Sequence, residues 1–365
     1  MKRLAWIAAS CALAAPLIAG AEDRLAVRSV SHTPHAFDPS DTSGVAIRYR
    51  LTQPAVVAVH LYDGRDLRIR LLQPEGELPA GEHVVTWDGR DDSGDSVPPE
   101  AYRYVIEATG SGDQHMTWDA SDITGGERLR PDPPEWDADA GVVRYSLAQA
   151  SRVRVRVGLA RQGPLIHALR DWVPRSAGEH EEAWDGWDQD GLIDYSEHPE
   201  LKLQVEAVVL PQNAILVLPK PERSAWVDLS PESTVKREAQ KLHTRQRVKL
   251  PPGEIQAHQS LEVSIFPPAS LERAPDGALI VTGPVSIAVD VDESQRVQAL
   301  NERLEVMLFI DGTFVFENEV GFLPFTWNWD PADTGEGKHF LTVNLGGYMG
   351  RLGVKTFKVD VRSSH

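Results

Sequence analysis

An acidic run in the middle of the sequence has the residue types and spacing of a calcium-binding loop. Ca²⁺ in proteins is held by roughly six to eight oxygen ligands, which carboxylates alternating around a glycine turn can supply. When Gly191 is placed at the sixth position of an EF-hand-like loop, Gly186 occupies the first position, where Asp is the usual ligand. We therefore predict a weak calcium site, and its candidate ligands are Asp185, Asp188, Asp190, Asp194 and Glu197.

The same run has a second interpretation, as an ordinary turn of a β-domain. An Asp side chain in a turn accepts hydrogen bonds from backbone N–H groups a few residues further on. The segment Trp-Asp-Gly at 184–186 also occurs at 87–89, where further aspartates follow. Capping of the turn and calcium binding therefore stay open as alternatives.

Aromatic residues lie close to this acidic run in the sequence. Exposed Trp and Tyr rings can stack on sugar rings, so the candidate binding residues for a glycan are Trp187 and Tyr195. The alternative is a structural role, because Trp184 corresponds to Trp87 and a Trp at a strand end anchors a sandwich core. Trp187 corresponds to Arg90 and is expected to be the more exposed of the two tryptophans.

Twelve His residues are scattered along the chain, and two groups of them have a defined spacing. His83, His180 and His339 each follow a Gly by two residues, which predicts a structural role such as hydrogen bonding to a hairpin backbone. His32 and His35 have a metal-like spacing, but we expect them to lie in an N-terminal tail.

The sequence lacks the short motifs of common enzyme classes. It contains no G-x-S-x-G, no H-E-x-x-H, no P-loop and no dinucleotide fingerprint. Glu181 and Glu182 are neighbours in a predicted strand and point to opposite faces, which is wrong for paired acid–base chemistry. We predict a non-catalytic protein with no catalytic residues and no cofactor, and calcium at the acidic run is the one alternative to this.

The composition is that of a folded, acidic protein. The 365 residues are 41% hydrophobic and 25% charged, with 37 Lys and Arg against 54 Asp and Glu, a net charge of −17. Nucleic-acid binding needs a basic surface, so this class of partner is excluded. A single Cys likewise excludes a disulfide scaffold.

The first 21 residues have the features of an export signal. Lys2 and Arg3 precede a short apolar stretch, and Ala19-Gly20-Ala21 is a small-residue cleavage site. Lipidation at Cys11 is the less favoured alternative, because the apolar stretch before it is very short. No second segment is long and apolar enough to span a bilayer. We expect an exported chain, periplasmic or extracellular, with no membrane span.

Two segments of the chain repeat one another. Residues 80–91 and 177–188 are identical at eight of twelve positions, and residues 45–61 align with 141–157 at an almost equal offset. Repetition over this distance indicates duplicated units. The two copies are predicted to span residues 30–110 and 136–215.

Each copy is predicted to consist of antiparallel strands. Val45–Leu51 alternates apolar and polar residues, as a half-buried strand does, and turn dipeptides such as Asp63-Gly64 recur at strand spacing. In the second copy Arg152, Arg154 and Arg156 occupy one strand face, which we expect to be solvated or to protect an edge. The predicted fold class is all-β, with tandem Ig-like antiparallel β-sandwiches.

The first copy carries the residues of a family motif. It has Y-x-L at Tyr49 and Leu51, then L-P-A-G-E-H-x-x-x-W-D-G-x-D over 78–91. In this it resembles the Ig-like domain of flagellar hook-capping proteins. The second copy keeps Tyr145, Leu147 and the W-D-G turn but departs after Gly191. The resemblance implies an Ig-like sandwich and says little about function, because this module occurs in appendage parts, sorting domains and hydrolase accessories.

The chain after the second copy is predicted to be a linker followed by a third β-domain. The linker spans 216–256 and contains a short candidate helix at Lys236–Leu242. Residues 257–362 return to strand patterns. This region resembles a bacterial Ig-like domain of another type, through its Asp-Gly hairpin and the segments P-F-x-W-x-W-D at 324–330 and G-x-H-x-L-x-V at 337–343.

These features predict an exported structural or adaptor protein. Its partner is expected to be a protein of the cell envelope or extracellular surface, contacted through strand edges and loops. Two alternatives remain: an accessory module that binds polysaccharide, and an adhesin stabilised by calcium.

Overall fold

The computed structural model describes residues 24–39, 44–112, 114–218, 260–301, 303–319, 322–347 and 350–363. Over these ranges most residues lie in β-strands that pair mainly in antiparallel sheets. The buried apolar side chains form three separate clusters, one for each sandwich. The predicted fold class, all-β with tandem Ig-like sandwiches, is confirmed. Residues 1–21, the predicted export signal, lie outside the described ranges.

The first sandwich packs a three-stranded sheet, in the order β1-β3-β6, against a larger sheet that contains β7-β4-β5. The alternation in the third strand buries Tyr49 and exposes Arg48 and Arg50, as the sequence predicts. Trp87 is fully buried. His32 is also buried, on β1, and does not lie in the N-terminal tail that the sequence analysis expects. The strands are β1 (Val27–Thr33), β2 (Ala36–Phe37), β3 (Val45–Leu51), β4 (Ala55–Tyr62), β5 (Arg68–Leu78), β6 (Gly81–Trp87), β7 (Ala101–Thr109) and β8 (His115–Trp118).

The second sandwich repeats this plan. Its sheets have the strand orders β10-β11-β14 and β13-β12-β15-β9, all antiparallel. Tyr145 and Trp184 take the core places that Tyr49 and Trp87 hold in the first copy. The strands are β9 (Arg128–Leu129), β10 (Glu135–Asp137), β11 (Val142–Leu147), β12 (Ser151–Leu159), β13 (Leu165–Arg175), β14 (Gly178–Ala183) and β15 (Leu201–Val209).

The strand that follows the second sandwich belongs to the first. This strand, β16 (Ala214–Val217), runs antiparallel to β7, with Ile215 opposite Tyr102, and parallel to β2, with Leu216 opposite Ala36. All its residues are buried. The chain therefore leaves the first sandwich, builds the second and returns to complete a sheet of the first.

This return changes the expected domain limits. The sequence analysis assigns residues 214 and 215 to the second copy and residues 216 and 217 to the linker, whereas all four pair within the first sandwich. The second sandwich also begins earlier than residue 136, because β9 pairs with β15. The rest of the predicted linker, from residue 219 with its candidate helix at Lys236–Leu242, lies outside the described ranges.

The third sandwich has sheets of order β17-β19-β22 and β18-β24-β23-β20-β21. Its one α-helix among the described residues, α1 (Glu293–Asn301), was not predicted, although Asp292 Oδ1 accepts from Ser294 N (2.9 Å) as helix-capping residues do. The strands are β17 (Val263–Phe266), β18 (Leu279–Val281), β19 (Val285–Val291), β20 (Leu304–Ile310), β21 (Thr313–Asn318), β22 (Phe325–Trp329), β23 (Gly337–Gly347) and β24 (Leu352–Val361). Among the described residues, no helix has the length and apolar character needed to cross a membrane.

Candidate functional site

Two of the five candidate calcium ligands cap their own turns. Asp185 Oδ1 accepts a hydrogen bond from Trp187 N (3.1 Å). Asp194 Oδ1 accepts from Ser196 N (3.0 Å) and from Ser196 Oγ (2.5 Å). These are the local hydrogen bonds that the turn interpretation predicts.

Asp188 has a similar role deeper in the protein. Its side chain is buried, and its Oδ1 accepts from Leu192 N (2.6 Å) and Ile193 N (2.9 Å). Burial raises the pKa of this carboxyl above its ordinary value, and the backbone hydrogen bonds oppose that shift only in part. Asp188 therefore fixes the loop between the second-copy Trp and β15.

Asp190 contacts the third sandwich. Its Oδ2 accepts from Thr356 N (2.6 Å), and its Oδ1 forms an ion pair with Lys355. Both partners lie on β24. An acid that sequence analysis assigns to a metal loop thus joins two sandwiches.

The five carboxylates do not converge within the described part of the chain. Glu197 is exposed, and the other four carboxylates accept the hydrogen bonds given above. In the described ranges, one group of three or more acidic, His or Cys side chains brings its oxygens within metal-binding distance of one another, and it consists of Glu305, Glu317 and Glu319 of the third sandwich. Calcium binding by residues 185–197 stays a prediction.

The two candidate glycan-binding residues lie in unlike environments. Tyr195 is 5% exposed and belongs to the hydrophobic core of the second sandwich, so its ring face is not a surface for stacking. Trp187 is half-buried and, as expected, more exposed than Trp184. Its carbonyl oxygen accepts from Trp184 Nε1 (2.8 Å). The loop folds back over the core because Asp188 holds its backbone, and this carries the aromatic side chains inward.

The repeat motif forms the same hydrogen bonds in both copies. Trp87 Nε1 donates to the Arg90 carbonyl (2.9 Å), as Trp184 does in the second copy. His83 Nε2 lies 2.9 Å from the Pro79 carbonyl, and His180 Nε2 lies 2.8 Å from the Ser176 carbonyl. The predicted structural role of these two histidines is confirmed. His339 differs, because its Nδ1 lies 2.6 Å from the Asp311 carboxylate.

The arginine row of β12 was expected to be solvated, and the structure places it between sandwiches. Arg152 pairs with the buried Glu100 of the first sandwich at 2.8 Å. Arg156 pairs with Glu206 on the neighbouring strand β15 at 2.6 Å. The row therefore lies on an inner surface of the molecule, where an unpaired charge would be costly.

Arg154, at the centre of this row, is 4% exposed. Its Nε donates to Asp171 Oδ1 (2.7 Å), its guanidinium lies 4.6 Å from the centre of the Trp172 ring, and a terminal nitrogen donates to the Gly350 carbonyl of the third sandwich. Burial raises the pKa of the Asp171 carboxyl, and Arg154 opposes that rise. One arginine thus joins β12, β13 and the loop between β23 and β24.

A buried amide completes the contact between the second and third sandwiches. Asn344, 4% exposed on β23, accepts a hydrogen bond from Leu165 N (2.8 Å) and donates one to Leu165 O (2.9 Å). The amide therefore pairs with the end of β13 as a neighbouring strand would. Sequence analysis missed this role, since one Asn in a strand gives no signal of a partner 179 residues away.

The first sandwich matches a known family. Residues 36–112 match the FlgD Ig-like domain. The basal-body rod modification protein FlgD of Salmonella typhimurium is 36% identical over 73 residues, which cover 20% of this chain and 32% of that protein. The same protein of Salmonella typhi aligns with the same values. The chain thus matches about a third of the length of these curated relatives, and its first sandwich is an Ig-like domain of the FlgD type.

Solved structures similar to the whole chain are only distant matches. The fibronectin(III)-like modules of CbhA from Clostridium thermocellum are 10% identical, with 93% of this chain and 97% of that chain covered and a TM-score of 0.21. A tetra-tandem repeat from the extending region of a large adhesion protein is 12% identical, with 93% and 74% covered and a TM-score of 0.20. These low scores add nothing to the fold that the strand pairing shows.

Proposed function

We propose that this protein is an exported, non-catalytic structural adaptor, which holds three sandwiches together and binds a protein partner of the cell envelope or extracellular surface. The FlgD-type Ig-like domain at residues 36–112 supports a structural module. The N-terminal sequence pattern supports export. The protein's chemistry is then recognition through surfaces rather than turnover.

The return of β16 into the first sandwich carries this proposal. A linear array of independent modules needs no strand that crosses from the end of one module into the sheet of another. Here the crossing strand is fully buried, and Asn213 Nδ2 beside it donates to the Tyr104 carbonyl (2.7 Å). The link restricts how far the first two sandwiches can move apart, as an adaptor that holds its domains in one arrangement requires.

The contacts of the second sandwich extend this coupling to the third. Arg152 reaches the first sandwich, while Arg154 and Asp190 reach the third. Buried polar contacts of this kind are specific for one arrangement, because any other arrangement leaves the charges unpaired. The middle sandwich therefore connects the first and third sandwiches through contacts that are specific for each.

Capture from an envelope extract tests the adaptor function. The whole chain without its first 21 residues is immobilised, and an unrelated acidic β-sandwich protein serves as the control bait. We expect one dominant protein to be retained by the chain and not by the control. Retention of the chain on purified polysaccharide, with no protein captured, would contradict the proposal and favour the glycan-binding alternative.

A further inference from the structure

The third sandwich has an outer strand with an unusual surface. β21 is the last strand of its sheet and, in the described part of the chain, pairs with β20 alone. Phe314 is 46% exposed and Val315 is 42% exposed on it. Soluble proteins usually protect such edges with Lys, Pro or a covering segment, because an open edge accepts another strand. The segment TFVFEN of β21 contains no Lys and no Pro.

A groove lies at the hairpin end of this edge, between the two sheets. β22 is the outer strand of the opposing sheet. The ring of Phe316 on β21 stacks on that of Phe325 on β22, with the ring centres 5.8 Å apart. Beside this contact the groove has a volume of about 580 Å³, and its walls include Val315 and Trp327. Asp311, Asp330 and Asp333 also line it, and no Lys or Arg is among its described lining residues.

Carboxylates concentrate on the outer face of the same strand. On β21, Phe316 lies opposite the fully buried Leu308 and therefore faces the core. Its neighbour Glu317, opposite Met307, points to the other face of the sheet, away from the core. Its oxygens lie within 4.8 Å of those of Glu305 and Glu319. A shared hydrogen bond with Glu317, then burial and the two neighbouring charges, raises the pKa of Glu305 to about 7. No described Lys or Arg ion-pairs with the three glutamates.

We propose that β21 docks an extended segment of the partner protein by strand addition, and that this segment alternates basic and apolar residues. The period of two in a strand sends basic side chains to the glutamates and the intervening apolar side chains to the groove. A second copy of this chain fits less well, because it would bring three more carboxylates to a face that is already negatively charged. The inference rests on the adaptor function and names the chemistry of its partner.

A peptide of about eight residues that alternates Lys and Val tests the site on the whole chain. Labelled peptide is titrated with protein, and fluorescence anisotropy reports binding. We expect the Lys–Val peptide to bind and a Glu–Val peptide to fail. A central Pro, which removes a backbone donor, should weaken binding by about tenfold or more. Binding should also strengthen from pH 6 to pH 8, as the glutamate cluster ionises.

A matched pair of variants locates the binding. Glu317→Gln with Glu319→Gln removes two charges from β21 and should weaken the Lys–Val peptide by about tenfold or more. Glu75→Gln with Glu77→Gln removes two exposed charges from β5, the outer strand of the first sandwich, and should leave the affinity unchanged. Equal losses in both double variants would overturn the proposal, since they would report net charge alone.

The remaining outcomes are distinct, and each of the first three would overturn the proposal. Self-association of the chain that disappears in the β21 variant would assign the edge to a second copy. Residues 236–250 contain six Lys or Arg and one Glu. Peptide binding that appears only after these residues are deleted would assign the edge to this basic segment of the same chain. Capture of the envelope partner by the β21 variant at full yield would leave the adaptor function intact and place docking elsewhere. Peptide binding without any captured partner would contradict the adaptor function alone.

Discussion

The first and second sandwiches are copies with the same interior and different outward faces. In both, the repeat Trp donates to the carbonyl three residues later, and the repeat His approaches the carbonyl four residues earlier. The corresponding strands β4 and β12 differ on the other face. Val56, Ala58 and His60 in the first copy correspond to Arg152, Arg154 and Arg156 in the second.

The difference follows from the neighbours of each copy. The second sandwich lies between two others and uses its arginines to reach both, whereas Ala58 of the first is buried beneath its own sheet partners. At the repeat turn, Ser93 of the first copy corresponds to Asp190, which contacts the third sandwich. The shared residues build the sandwich, and the outward ones determine what it packs against.

Breaking the Arg154 ion pair should have the largest effect on this comparison. Arg154→Met leaves Asp171 buried without its partner, so we expect a loss of about 3–5 kcal/mol in the free energy of unfolding, measured by urea denaturation. Arg50→Met, at a strongly exposed arginine of the first copy, should cost less than about 1 kcal/mol. Replacing Asp171 by Leu in the Arg154→Met background should recover much of the loss. Equal effects of the two arginine variants would contradict the distinction.

Truncating Ile215 tests whether the copies are independent. Ile215→Ala lies after the second sandwich in sequence, yet its fully buried side chain belongs to the first core, so about 2–5 kcal/mol should be lost there. Hydrogen exchange should then increase in β7 and stay unchanged in β12. Ile166→Ala, in the second core, should show the reverse pattern. Faster exchange in β12 after Ile215→Ala would contradict the strand assignment.

Acid should destabilise the first copy through a buried histidine that has no counterbalancing buried carboxyl of raised pKa among the shifted groups of its described residues. Burial lowers the pKa of His32 in the first sandwich to about 4, so the unfolded chain takes up a proton between pH 6.5 and 4 that the folded chain does not. The first sandwich should lose about 3 kcal/mol over that window. In the second sandwich two shifts oppose each other, because burial lowers the pKa of His167 and raises that of Asp188, so acid costs stability through the histidine and adds it through the carboxyl. Calorimetry of wild type, His32→Gln and Asp188→Asn checks this; a first-sandwich transition unaffected by acid would contradict it.

Replacing Asp190 by Ser, the residue at the corresponding position of the first copy, should weaken the contact with the third sandwich. Asp190→Ser removes the ion pair with Lys355 and the hydrogen bond from Thr356 N, at a cost of about 1–2 kcal/mol. A double-mutant cycle with Lys355→Met should give a coupling of about 1 kcal/mol. Ser93→Ala in the first copy is the control, with an expected change within about 0.5 kcal/mol. Zero coupling would show that the contact contributes nothing in solution.

Calcium should give the smallest effect, and only through the second copy. For a site with a dissociation constant of about 10⁻³ M, calcium at about 5 mM would stabilise the fold by about 1 kcal/mol. Thermal unfolding with Ca²⁺, and then with EDTA, measures this. Asp194→Asn with Glu197→Gln should abolish the shift. An unchanged melting temperature in wild type would leave residues 185–197 with the turn interpretation alone.

The parts of the fold that sequence analysis predicted are those with local signals. Alternating residues identified strands such as β3 and β20, and the W-D-G turn identified the repeat. In the candidate site, the turn-capping role of Asp185 is visible in the sequence, because its bond spans two residues. The burial of Tyr195 is not, since it depends on how the loop folds over the core.

The sandwiches can be predicted from the amino-acid sequence, because period-two burial and turn chemistry act over a few residues. Which surfaces meet depends on contacts between residues that are far apart in the chain. Asp190 pairs with Lys355, which is 165 residues away in the sequence, and Asn213 bonds to Tyr104, which is 109 residues away. No local sequence pattern indicates either contact. The four apolar residues at 214–217 have the composition of a buried strand and carry no sequence feature that assigns them to a particular sheet. Burial in the first core selects one sheet, because there their backbone pairs with β7 on one side and β2 on the other.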